Sequence, residues 1–304
     1  MPIEGATMSP MAYPDIPYPE WKDTKTTLHL FSQIVGRVRL ALAPKLNHWW
    51  HVTFYVSARG LTTSYMPHAN GGLDIEFDFI DHLIVFRTTD GRIEQIPLAG
   101  HSVADMYDAV TSMLRHLGVA VSISEKPFDP SRVGSDIPFS NDSEHTSYDA
   151  DAVHRFWQVL AGIQPIFAEF RGRYVGKCSP VHFFWHSFDL AVSRFSGRPA
   201  TVSQAADPVT REAYSHEFSS GGFWVGDENI PEPAFYSYIH PEPKGLAEQP
   251  LHPAEAWWQP VGETHMALYR YSDFRNSDNP RQSLLDFLQS AYDAGTTLGE
   301  WPSA

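Results

Sequence analysis

The sequence predicts an α+β fold. It has two related halves, each a helix, an antiparallel sheet and a second helix, forming one compact unit. Three observations predict it. Apolar residues recur with helical spacing at 23–42, 102–118, 149–174 and 280–301. The stretches between them alternate polar with β-branched or aromatic residues, as strands do. The two series run in the same order and share matched residues.

Residues 1–20 are proline-rich and read as an extended arm. DTKTTLHLFSQIVGRVRLAL (23–42) reads as a helix capped by Asp23 or Thr24 and stopped by Pro44. HVTFYVSARG (51–60), LDIEFDF (73–79), HLIVFRT (82–88) and RIEQIPL (92–98) read as strands, the last two joined by an Asp90-Gly91 turn. SVADMYDAVTSMLRHLG (102–118) has helical spacing, a Ser cap and a closing Gly, and VAVSIS (119–124) reads as a short strand. A polar stretch rich in Pro, Ser and Asp follows, and reads as a linker or lid. Residues 149–174 form a long helix with a kink at Pro165, strands follow at 181–196, 212–219, 233–240 and 264–271, and 280–301 is a closing helix. The organisation is therefore an arm (1–20), a first half (21–125), a linker or lid (126–148) and a second half (149–304).

The match between the halves is specific in places. One helix carries His29-x-Phe31-x-Gln33 and the other His154-x-Phe156-x-Gln158. Trp50-His51 precedes Arg59 by the same interval as Trp185-His186 precedes Arg194. An internal duplication accounts for this, and so does chance likeness between two amphipathic helices and two aromatic strands.

The chain has 304 residues, 42% hydrophobic, with a net charge of −14. That balance argues against nucleic acid or an anionic membrane as partner, since both want a basic patch. No apolar run is long enough to span a bilayer. The lone Cys178 and an N-terminus without a charged start and apolar core point to the cytoplasm. Oligomeric state is not legible.

The densest chemistry lies in VHFFWHSFDLAVSRFSG (181–197). On a strand, His182, Phe184 and His186 share a face. His48 and His51 in NHWWHV and adjacent His216 and Glu217 in AYSHEF add donors. A two-histidine, one-carboxylate shell holds Zn, Fe or Mn, although the spacing matches no standard metal motif. The plainer reading makes these hydrogen-bonded core histidines. His29/Gln33 and His154/Gln158 are one-turn pairs able to bind a ligand or simply to join helices. Arg59 and Arg194 are candidates to clamp a carboxylate or phosphate, or to pair with local acids. Cys178 beside Lys177 is a candidate thiolate, but a buried inert thiol is the simpler reading.

NHWWHVTFYVSARGLTTS, GKCSPVHFFWHSFDLAVSRFSGRPA, AYSHE and FYSYIHPEP together resemble a bacterial family catalogued only as a domain of unknown function, number 5996. The resemblance runs from Trp21 to Trp301 and implies no activity, cofactor or catalytic residue. It implies that Gly can stand at the position of His186, which moves the weight to His51, His182, His216 and Glu217.

The leading expectation is a cytoplasmic enzyme with a divalent metal (Fe, Mn or Zn) on His51, His182, His216 and Glu217. Arg59 or Arg194 would orient a small aromatic or anionic substrate in a His-rich cleft between the halves. The alternatives are a non-enzymatic small-molecule binding module with an aromatic, His-lined pocket, and a structural scaffold.

Overall fold

The computed structural model describes residues 13–228 and 230–302, so the first twelve residues of the expected arm lie outside it. The chain is α+β, with helices packed on two antiparallel sheets. Helix α1 (Tyr18–Leu42) starts earlier than its sequence cap predicts. Pro19 in the first turn explains this, because the missing N–H there needs no intrahelical partner. The helix does end just before Pro44, as expected. A 3₁₀ segment (Asn47–Val52) leads into β1 (Tyr55–Val56), β2 (Gly60–Thr62), β3 (Met66–His68), β4 (Gly71–Asp78), β5 (Leu83–Thr88) and β6 (Ile93–Pro97). Helix α2 (Val103–His116) follows, with a reciprocal capping box between Ser102 and Asp105.

Short α3 (Pro130–Val133) lies within the polar stretch, and α4 (Ala150–Gly172), capped by Asp149, opens the second series. Then come β7 (His182–Phe184), β8 (Asp189–Pro199), α5 (Pro208–Ala213), β9 (His216–Trp224), β10 (Ala234–His240), β11 (Trp257–Val261), β12 (Thr264–Arg270), α6 (Tyr271–Asn276) and α7 (Pro280–Leu298).

The first sheet has the order β1-β2-β4-β5-β6, with β3 added on β4; the second runs β11-β12-β10-β9-β8-β7. The two meet edge to edge. Phe54 and Phe183 exchange both backbone hydrogen bonds, at 2.8 and 2.9 Å, across an isolated bridge. Helix α1 packs on α2 and α4, and α4 on α7; α1 and α2 touch the first sheet, α4 touches both, and α7 touches the second. The packing is close: a Cβ on Gly36 of α1 would lie 2.2 Å from the Trp185 ring.

Each series contains an opening helix, a six-stranded antiparallel sheet and a closing helix, and His29 and His154 lie in the opening helices α1 and α4, but the strand orders of the two sheets differ. The second matched pair does not hold. His51 lies in the 3₁₀ segment, whereas His186 lies in the β7–β8 turn. The bridge pairs Phe54 with Phe183, which sets a different register from the one that aligns His51 with His186.

Four further expectations are corrected. Residues 51–60 split into a 3₁₀ segment and a hairpin, with His48 and Trp49 at positive φ. Residues 181–196 are two strands around a turn, not one. Phe188 takes a φ of 58° there, so His186 leaves the strand face shared by His182 and Phe184. Residues 212–219 divide between α5 and β9, and 119–124 form no strand.

The stretch 126–149 is packed on α1 and α2. Gln33 accepts from the Phe128 backbone at 2.6 Å and donates back at 3.0 Å, Thr24 hydrogen-bonds Ser147, and Phe139 is fully buried. Among the described residues no helix is long and apolar enough to cross a membrane.

Candidate functional site

The six residues singled out from the sequence occupy separate environments. His51 is buried, with its ring 5.2 Å from Trp49 and its Nδ1 accepting from the Leu46 amide at 3.3 Å. His182 is 1% exposed, lies edge-on to Trp50 and Tyr55 at 5.7 Å, and has no partner for Nε2. Burial, aided by Arg39 and Arg171, lowers its pKa to about 3, so the ring is neutral. His216 contacts His48 at 5.5 Å between ring centres. Glu217 follows it on β9, so its side chain takes the opposite face of the strand, where it accepts from Ser196 and Arg198 at 2.8 and 2.7 Å. Among the described residues no group of three His, Cys, Asp or Glu side chains is placed to hold a metal ion.

Arg59 is bound to Asp78 and Asp81 at the surface. Arg194 is buried under α4, where it donates to the Phe170 carbonyl. His29 and Gln33 anchor neighbouring backbone: His29 bonds the His186 carbonyl at 3.2 Å, and Gln33 grips Phe128. His154 contacts the Phe79 carbonyl at 3.2 Å.

A larger opening lies elsewhere. A cavity of about 820 Å³ sits between the first turns of α1, the α3 segment, residues 144–147 and the loop at Asp227–Glu228. Lys25 lies in its wall and is only 5% exposed. Its position follows from helix phase. Lys25 is one turn after Trp21 and one turn before Leu28, so it belongs to the buried stripe of α1. Burial lowers its pKa from 10.5 to about 8; Arg132 pushes the same way, and Asp227 and Glu228 oppose. Among the described residues no carboxylate forms an ion pair with it.

The other walls are polar. Tyr18 donates to Glu228 at 3.3 Å, and burial together with that carboxylate raises its pKa to about 12. Arg132 pairs with Asp129 at 3.5 Å, and Ser131 donates to the same carboxylate at 2.7 Å. His145 donates from Nδ1 to the fully buried Asp142 at 2.8 Å. Carboxylates (Asp23, Asp129, Glu144, Asp227, Glu228) outnumber the cations Lys25 and Arg132. Hydroxyls of Thr26, Thr27, Ser131, Thr146 and Ser147 complete the lining.

Such a cavity can hold a small hydroxylated molecule by hydrogen bonds, and it presents an amine that loses its proton close to neutrality. Sequence reading did not single out Lys25 and took 126–148 for a linker or lid. The available signals were a lysine on an apolar stripe and the Asp142-x-x-His145 spacing in DSEHTS.

The sequence model of a family of unknown function (DUF5996) matches residues 13–304. No curated protein and no solved structure matches the chain.

Proposed function

The chain belongs to this family of unknown function, and from that premise we propose that its cavity binds a small hydroxyl-bearing carbonyl compound, which Lys25 engages through its amine. The observation that carries the reading is Lys25 itself, a buried lysine in the wall of a polar cavity for which no ion pair is formed among the described residues. A lysine in that setting has a substantial free-amine fraction near pH 8, which is the nucleophilic form. Its nitrogen adds to the carbonyl carbon, the carbonyl oxygen leaves as water, and an imine remains. His145, backed by Asp142, is the proton-handling group on the wall.

The excess of carboxylates disfavours an anion, and the hydroxyl lining favours a neutral or cationic polyol. Thermal shift with glyceraldehyde and erythrose tests this. Wild-type protein should melt higher with either compound, and Lys25→Met should not respond. Equal responses in both proteins, or none in wild type, would end the reading.

A second reading keeps the divalent metal on the histidines. The buried His182 Nε2, which has no hydrogen-bond partner among the described residues, favours it. Fe, Mn or Zn retained by purified protein and lost in His182→Ala supports it; protein that takes up none of the three ions sinks it. On either reading the protein works in the cytoplasm, as the single free Cys178 suggests. An intermolecular disulfide in protein from its native source would count against that placement.

A further inference from the structure

A second recess, of about 310 Å³, opens between the end of α4, strand β8 and the last turns of α7. It shares no residue with the Lys25 cavity. Arg194 forms part of its wall and is 2% exposed. One terminal nitrogen donates to the Phe170 carbonyl; the other reaches Gln289 Oε1 only at 3.5 Å, and Nε is buried with no partner among the described residues. Among the described residues no carboxylate forms an ion pair with this guanidinium. Asp293 acts on it through space, but its carboxylate is taken up by Gln289 at 2.7 Å.

Aromatic rings surround the cation. The Phe170, Tyr292 and Tyr174 ring centres lie 3.4, 4.7 and 5.4 Å from its central carbon. Trp301 stands edge-on to Tyr292 at 6.0 Å. Faces of rings stabilise the positive charge but give its in-plane N–H groups nothing to donate to. Arg173, at the opening, supplies a second cation; it is exposed and pairs with Glu169 at 2.6 Å.

We infer that this recess is a binding site for a small aromatic carboxylate, with the carboxylate on Arg194 and Arg173 and the ring against Tyr292 and Trp301. A carboxylate in the recess can accept from the terminal nitrogen that has only the 3.5 Å contact with Gln289. The volume is at the low end for ligand sites and suits a single ring. Burial lowers the Arg194 pKa to about 10, which still leaves the group charged at neutral pH.

The test is calorimetric titration with benzoate, and with inorganic phosphate as the non-aromatic anion. Wild-type protein should bind one benzoate per chain and phosphate far more weakly. Thr297→Trp places a bulky ring at an exposed position on the rim, so folding should survive while benzoate binding is lost. Arg173→Gln should weaken binding about tenfold, equivalent to about 1.4 kcal/mol. Circular dichroism checks that both variants fold. Absence of benzoate binding, binding untouched by folded Thr297→Trp, or phosphate bound as well as benzoate would overturn the inference.

Discussion

Replacing Lys25 with Met should stabilise the fold at neutral pH, and the gain should vanish in alkali. The amine is 5% exposed, and no carboxylate among the described residues pairs with it, so its charge is desolvated with little return. Its pKa falls from 10.5 in the unfolded chain to about 8 in the fold. At 1.36 kcal/mol per pH unit, the penalty of keeping it protonated is about 3 kcal/mol. The sign follows from proton uptake. Between pH 8 and 10.5 the unfolded state binds more protons than the folded state, so stability rises with pH across that window. Below pH 8 the whole penalty is present; above 10.5 both states are neutral and it is gone. Met fills similar volume without the charge. Urea unfolding of both proteins at about pH 7 and about pH 10.5 reads the difference directly. Lys25→Met should be more stable by about 3 kcal/mol at the lower pH and nearly equal at the higher. An advantage that is absent at pH 7, or that does not change with pH, would refute the claim that Lys25 carries a desolvated charge.

Two further outcomes test buried contacts of the fold. Gly36→Ala puts a methyl 2.2 Å from the buried Trp185 ring and should destabilise the protein by about 1–3 kcal/mol in the same assay; a neutral effect would show that α1 and the β7–β8 turn are not in close contact. Tyr236→Phe removes a donor to the buried Asp189 carboxylate, leaving Ser187 as its remaining side-chain donor, and should cost about 1–3 kcal/mol, read as a lower thermal midpoint, whereas an unchanged midpoint would mean that the carboxylate does not need that bond.

What could be read from the sequence follows local chemistry. Strands β4 to β6 and the turn at Asp90-Gly91 were legible because alternation and a glycine turn mark both faces and the bend. Helix α2 was legible from its Ser102 cap. The turn at 185–188 was not, because Trp185-His186-Ser187-Phe188 carries no Gly, Pro or Asn, and the aromatic alternation runs straight through it. That one missed turn is what separated His186 from the face of His182. The metal-ligand expectation joined residue type to an assumed shared strand face, and side-chain direction sends His216 and Glu217 to opposite faces of β9. Lys25 and the Asp142–His145 pair escaped notice because their roles depend on tertiary burial. A lysine in a Thr-rich first turn looks solvated until the α3 segment and the 227–228 loop close over it.

The most direct test of the Lys25 cavity is reductive trapping. Protein incubated with glyceraldehyde at about pH 8, the free-amine range of Lys25, is treated with borohydride, digested and mapped by mass spectrometry. Hydride adds to the imine carbon and fixes the sugar to the lysine as a secondary amine. The account predicts one dominant adduct, on Lys25, formed faster than any on Lys22, Lys45, Lys126, Lys177 or Lys244 despite its burial. Adducts spread over the exposed lysines, with Lys25 left unmodified, would contradict it.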